Sequence, residues 1–253
     1  MNTVMVRNLE MGAGAPKIIV PIVAKTREGI LEKAAELKNY TMDLVEWRAD
    51  FYEDALDVEK TVETAELLNK ALGELPLLYT FRTALEGGNK EITPIHYTAL
   101  NKAVAESGFV DIIDVESNTP RAEADENIRN IHAAHLPVIG SYHNFSETPD
   151  TSELLYIMRN IQRRDADIVK VAVMPRTRAD VASLLDATQI MFTKYALRPI
   201  LTMSMGQLGV ISRVTGDAFG SCATFGAVGQ TSAPGQIPVN DLHTVLRILH
   251  EAR

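Results

Sequence analysis

Along this chain, short apolar runs alternate with longer segments whose apolar residues recur every three or four positions. The short runs are Lys17–Val23, Met42–Arg48, Leu77–Arg82, Val110–Glu116, Pro137–His143, Asp167–Val173, Pro199–Met205 and Ser221–Ala227. They are rich in β-branched residues and bounded by turn formers, as buried strands are. Glu28–Lys38, Val58–Leu72, Pro94–Glu106, Ala122–Ala134, Ser152–Arg163 and Arg178–Tyr195 read as amphipathic helices between them, and Val239–His250 closes the chain. Thr3 to Leu9 alternates weakly and predicts an edge ribbon before the Gly12-Ala13-Gly14 break.

Eight strands alternating with helices imply parallel pairing through right-handed crossovers. That count, in a chain of 253 residues, fits an α/β fold of the (β/α)8 TIM-barrel type. An open doubly wound sheet is the alternative, weakened by the absence of a G-x-G-x-x-G turn after the first strand. With no low-complexity segment or linker, residues 1–253 read as one barrel domain.

Composition narrows the class. A net charge of −8 argues against nucleic acid as a partner. Any anionic ligand must then be gripped by a few local arginines. The single cysteine, Cys222, excludes an intramolecular disulfide and a cysteine metal cluster. Met1 to Met11 lacks an apolar signal core, and no apolar run is long enough to span a membrane, so a cytoplasmic location is expected.

The candidate chemistry begins at Lys170, the one residue that does not suit a buried strand. Side chains alternate along a strand, so Ile168, Lys170 and Ala172 share one face and Val169, Val171 and Val173 the other. A lysine in a low-dielectric site can become a neutral nucleophile suited to condensing with a ketone. The competing reading is a strand-end lysine whose head reaches water along its stem. Other strand ends carry polar groups on one face: Glu46 with Arg48, Thr80 with Arg82, Asp114 with Glu116, and Ser141 with His143. Functional residues of such barrels sit where strands end. A structural ion-pair network of Glu46, Arg82 and Asp114 is the alternative for part of this set. His96, His132, His135, His243 and His250 read as solvated, with no metal-binding spacing among them.

Seven segments in order carry a resemblance. They are Glu46-Trp47-Arg48, Phe81 to Gly88, His143-Asn144-Phe145, Lys170 to Pro175, Met203 to Gly206, Gly209 to Arg213 and Ser232 to Gln236. Together they resemble type I 3-dehydroquinate dehydratase. The resemblance implies a (β/α)8 barrel, a homodimer, and no metal or organic cofactor. It implies a lyase that eliminates water from 3-dehydroquinate to give 3-dehydroshikimate, the third step of the shikimate pathway to chorismate and aromatic amino acids. Carried over position by position, Lys170 forms the Schiff base, His143 transfers the proton and Glu86 partners His143. Glu46, Trp47, Arg48, Arg82, Arg213, Ser232 and Gln236 contact substrate, and Met203, Met205 and Phe225 pack on its ring. Without the resemblance, Glu86 reads as a surface acid before Gly87-Gly88, and Arg213 as a loop arginine. Glu46 and Arg82 are expected to bind ring hydroxyls or each other.

The chain departs from the family pattern at Pro21, where a serine is common, and at Tyr142 and Asn144 around His143. The Gly226–Gln236 loop, with three glycines, is expected to close over substrate. A class I aldolase-type lyase, or a non-catalytic barrel that binds a small acid, are the competing functions. The aldolase would need a phosphate cradle after strands seven and eight, and none is evident.

Overall fold

The computed structural model describes residues 2–118, 120–229 and 232–252. Eight parallel strands form the barrel: β3 (Lys17–Ile22), β4 (Leu44–Arg48), β5 (Leu77–Thr80), β6 (Ile112–Glu116), β7 (Val138–Asn144), β8 (Ile168–Val173), β9 (Ile200–Ser204) and β10 (Ala223–Ala227). Each expected strand is present, with ends trimmed by a few residues. Closure is made by Ser221, just before β10. It bridges to Ile200, and its hydroxyl accepts from the Thr202 N–H at 3.0 Å. Short strand β11 (Ile237–Pro238) adds to the upper end of β10.

The helices follow the expected order: α1 (Arg27–Leu37), α2 (Val58–Leu72), α3 (Pro94–Glu106), α4 (Arg121–Ala133), α5 (Thr151–Arg163) and α6 (Arg178–Ile190). Their starts are written locally. Thr26, Asp57, Thr93 and Asp150 each cap a first turn through a side-chain oxygen, and Thr177 forms a capping box with Asp180. The helix expected over Arg178–Tyr195 widens into a π turn at Met191–Tyr195. That turn buries Met191 and lays Phe192 over Gly220, where a Cβ would sit 2.3 Å from the ring. Among the described residues, β9 is followed by α7 (Gly206–Gly209), a 3-10 turn at Val210–Arg213 and α8 (Gly216–Phe219) before β10, and α9 (Val239–Glu251) is the last helix.

The alternation sorts the barrel into two faces. Outward residues such as Val45, Trp47, Tyr79, Ile113 and Val115 pack on the helices. Inward, toward the strand starts, Ile19, Leu44, Leu78, Ile112, Ile139, Ile168 and Leu201 form one apolar cluster. The N-terminal ribbon, β1 (Val4–Val6) paired antiparallel with β2 (Leu9–Met11), belongs to that cluster. Val6 and Met11 are buried in it, so the ribbon plugs the lower end of the barrel rather than decorating an edge.

One histidine departs from the solvated expectation. His132 is half-buried and bonds Asp167 at 2.8 Å, and that hydrogen bond raises its pKa. Arg198 grips the same carboxylate at 3.0 Å, so this cluster ties α4 to the lower rim beneath β8 and β9.

Candidate active site

The register lifts a polar layer onto the apolar one. Ile139 pairs with Ile168, and two residues further along, Ser141 pairs with Lys170. Asp114 stands beside Ile139 in the neighbouring strand, one step lower. Glu46, Arg48, Arg82, Glu86, His143, Phe145, Lys170, Ala172, Met203, Met205, Arg213, Phe225, Ser232 and Gln236 line a cavity at the strand ends.

Lys170 lies at the base and is 3% exposed. Its Nζ donates to Asp114 Oδ2 at 3.0 Å and lies 3.7 Å from Glu46 Oε1. It also sits 4.8 Å from the centroid of the Phe225 ring. Two carboxylates therefore face the amine. Burial raises the Asp114 pKa, but the charges of Arg82 and Lys170 and the Ser141 hydroxyl outweigh it, holding the carboxyl at about 2.

Arg82 is fully enclosed. Its guanidinium donates to Asp114 at 2.7 Å, Glu116 at 2.9 Å and Ser141 at 3.1 Å, and Glu86 lies 3.7 Å away. Burial opposes its charge, but Asp114, Glu116 and Glu86 outweigh that and raise its pKa. The expected contact between Glu46 and Arg82 is not formed; Glu46 accepts from Thr80 at 2.9 Å instead. Of the alternative network, the Arg82–Asp114 pair exists and Glu46 enters it only through Lys170.

Glu86 is not a surface acid. It sits in a short 3-10 turn, Ala84–Glu86, that folds back under Phe145 and is 1% exposed. Two glycines make this possible. At Gly88 a Cβ would come within 1.9 Å of the Arg82 carbonyl oxygen, and at Gly87, with φ +80°, within 2.4 Å of the Phe145 ring. Glu86 Oε2 accepts from the His143 backbone N–H at 3.0 Å and faces His143 Nδ1 at 2.7 Å. An oxygen that already accepts from one N–H accepts from Nδ1–H as well, which leaves Nε2 with its lone pair toward the cavity. Burial, then the charges of Arg82, Lys170 and Arg48, push the His143 pKa well below its usual value. Burial pushes the Glu86 carboxyl up, and Glu116 and Asp114 push the same way. The imidazole is uncharged at rest.

Arg213 is also no loop arginine. It is 1% exposed, donates to the Pro234 carbonyl at 2.9 Å, and has a buried Nε with no partner. Among the described residues no carboxylate pairs with it. Burial alone lowers its pKa to about 10. Beside it, Gln236 and Ser232 bond each other: the Ser232 N–H donates to Oε1 at 2.9 Å, and Nε2 donates to the hydroxyl at 3.0 Å. Gln230 and Thr231 of the same loop lie outside the described residues.

Trp47 does not reach the cavity. It points to the helix side, fully buried against Tyr52 and Tyr79 with ring centroids 6.1 and 5.5 Å away. The alternation that puts Glu46 and Arg48 inward puts Trp47 outward. The roles carried over from the resemblance did not include Phe145, Asp114 or Glu116, although the strand-end reading had already placed the two acids at the mouth. For the two acids the signal was present, since both stand on the inward face of a strand ending at the mouth. Asn144 accepts from the Ser146 and Glu147 N–H groups at 2.9 and 3.0 Å, so it shapes the turn after β7.

The fold and the mouth define a class: a (β/α)8 barrel with a buried lysine beside a carboxylate-backed imidazole and an unpaired arginine. The chain belongs to the type I 3-dehydroquinase family, whose model matches residues 18–253. The 3-dehydroquinate dehydratase of Escherichia coli O1:K1 / APEC is 48% identical over 252 residues, covering 100% of both chains. The type I 3-dehydroquinate dehydratase structure from Clostridium difficile superposes with TM-score 0.97 at 43% identity, over 100% of this chain and 99% of that one. The Enterococcus faecalis enzyme gives TM-score 0.91 at 42% identity, over 97% and 98%.

Proposed function

We propose that this chain, as one barrel domain, is a 3-dehydroquinate dehydratase acting through a Schiff base on Lys170, in aromatic amino acid biosynthesis. The observation that carries the residue assignment is the meeting of Lys170, the His143–Glu86 pair and unpaired Arg213 around one cavity.

The chemistry suits these groups. A proton next to a ketone is weakly acidic. Lys170 passes a proton to His143 Nε2 and the freed amine adds to the ketone carbon; the resulting hydroxyl takes that proton back and leaves as water, giving an iminium. Asp114 and Glu46, already beside Nζ, stabilise that positive charge. His143 Nε2 takes the adjacent carbon's proton, and the electron pair flows to nitrogen as an enamine. The pair then returns and expels the β-hydroxyl, which leaves as water with the proton from His143. One base serving both atoms makes the elimination syn. Hydrolysis of the conjugated iminium releases product and the free amine. The balance is one substrate to one product and one water.

Arg213 is read as the substrate carboxylate clamp, because a guanidinium binds carboxylate through two parallel hydrogen bonds. Arg48, Glu46, Ser232 and Gln236 are read as hydroxyl and carboxylate contacts, and Met203, Met205 and Phe225 as the apolar bed of the ring. Arg82 borders the cavity, but its guanidinium is engaged by Asp114, Glu116 and Ser141, so it is read as acting chiefly through those carboxylates. A homodimer is proposed from the family resemblance, and sedimentation equilibrium tests it. A cytoplasmic location is proposed from the single cysteine, from the bacterial 3-dehydroquinate dehydratases that the chain resembles, and from the lack, among the described residues, of a helix long and apolar enough to cross a membrane.

The decisive experiment is borohydride reduction with 3-dehydroquinate, followed by peptide mass spectrometry. Wild type carries a reduced adduct on Lys170, and Lys170→Ala carries none and loses turnover by about 10⁴-fold or more. Turnover without an adduct rejects the Schiff base. Neither adduct nor turnover brings the aldolase-type and binding readings forward.

A further inference from the structure

We infer that Asp50 is a positioning residue for the elimination, holding Arg48 and the Glu86-bearing loop in one fixed relation. The inference rests on the roles given above to Glu86, His143 and Arg48.

Asp50 follows β4 in a short 3-10 turn, Ala49–Phe51, and does not line the cavity. It is 0% exposed. Its Oδ1 accepts from Arg48 Nε at 2.8 Å and from the Arg82 backbone N–H at 3.4 Å. Its Oδ2 accepts from Arg48 Nη2 at 2.9 Å and from the Asn89 backbone N–H at 3.0 Å. A carboxylate removed from water needs this degree of compensation. What matters is where the four donors come from. Two belong to the guanidinium at the cavity wall. The other two are the first and last N–H groups of the segment from Arg82 to Asn89, and Glu86 lies between them.

One buried carboxylate therefore sets two things together: the aim of Arg48, and the closure of the loop that presents Glu86 to His143. Glu116 holds the start of the same loop from the other side, through the Thr83 N–H and hydroxyl, both at 2.7 Å. Asp50 is the group that joins the loop to the substrate-facing arginine. Glu86 Oε2 makes both bonds to His143, so a small shift of the loop changes the tautomer and aim of the base.

The test uses two variants of the full chain. Asp50→Asn keeps the volume but puts an NH₂ where one oxygen accepts, so a buried donor from Arg48 or Asn89 meets another donor. We expect kcat to fall by about 10²-fold, the scale of a small misplacement, and KM to rise because Arg48 loses its fixed aim. Borohydride still traps the adduct on Lys170. The acidic limb of the kcat/KM profile moves to lower pH. His143 is faced by Glu86 from the loop, Arg82 from the end of β5, Lys170 from β8 and Arg48 from β4. Without the Asp50 charge, Arg48 is unbalanced and disfavours the imidazolium further. A role in stability alone would lower Tm and leave kcat and that limb unmoved.

Asn89→Pro, at an exposed residue, removes the backbone N–H that Asp50 Oδ2 accepts and the side-chain amide that donates to the Asp50 carbonyl at 3.4 Å; it leaves the Arg48–Asp50 pair intact, so kcat falls with KM unchanged. It decides the matter if Asp50→Asn does not fold. Wild-type kcat and an unmoved acidic limb in the folded variants overturn the role of Asp50. Trapping of the wild type runs alongside. An adduct there, with unaffected variants, removes Asp50 alone; no adduct there removes the functional reading beneath it.

Discussion

The lower and upper halves of the barrel interior use the same strands and the same alternation, yet they are held together differently. Below, Leu44, Leu78, Ile112, Ile139, Ile168 and Leu201 pack with Val6 and Met11 from the ribbon. Each such side chain contributes about 1.5–3 kcal/mol on burial, with no partner required. Above, the inward positions are Glu46, Thr80, Asp114, Ser141 and Lys170, with Arg82, Glu86 and His143 over them. A buried charge costs several kcal/mol unless it is paired and hydrogen-bonded. The upper half therefore stands only as a network: Arg82 on Asp114 and Glu116, Lys170 on Asp114, Arg48 on Asp50. Arg213 is the charge this network leaves over. The lower half makes the barrel, and the upper half leaves a buried guanidinium that the proposed function assigns to the substrate carboxylate.

The largest way to separate the halves is His143→Ala. It should lower kcat by about 10²–10⁴-fold while the lysine adduct still forms and the barrel unfolds near the wild-type denaturant midpoint. Near wild-type turnover would break the proposed division of labour. Next, Ile139→Ala lies on the same strand, four residues below His143. It should cost about 2–5 kcal/mol in urea unfolding and leave kcat and KM of the folded enzyme alone. A changed KM would mean that the halves are coupled.

Arg213→Met sharpens the point about the unpaired charge. It should raise KM by about 10- to 100-fold, the worth of a charged hydrogen-bonded contact, and cost no stability. A large loss of stability would show that the guanidinium already has its compensation in the empty protein.

The smallest effect is acid sensitivity. Folding holds the Asp114 carboxyl at about 2, below the ordinary aspartate value of 3.8. Its contribution is present above about pH 4 and lost as pH falls through about 2, and it amounts to about 2 kcal/mol. Unfolding midpoints measured across that range should fall for wild type. Asp114→Asn should be less stable than wild type above about pH 4, flatter over the same interval, and converge on wild type as pH falls through about 2.

Much of this was legible in the chain. Strands and helices were visible because a buried strand and an amphipathic helix have different apolar periods. Lys170 was visible because a charge stands out in Ile-Val-Lys-Val-Ala-Val. Glu86 was not, because Glu-Gly-Gly reads as a surface turn until Phe145 is seen lying over it. Trp47 was misjudged through its place in the Glu-Trp-Arg motif, although the strand alternation already sent it outward. Asp50 carried no signal, since its four donors come from residues 48, 82 and 89, which only folding gathers.

The sequence by itself determined the barrel, the inward face of each strand and the buried lysine on which the proposed chemistry turns. These follow from periodicity and from single residues that violate it. Tertiary structure alone decided which charges neutralise one another, which imidazole nitrogen faces the cavity and which arginine is left unpaired. Those properties depend on distances of about 3 Å between side chains from different strands, and the order of residues along one chain does not contain them.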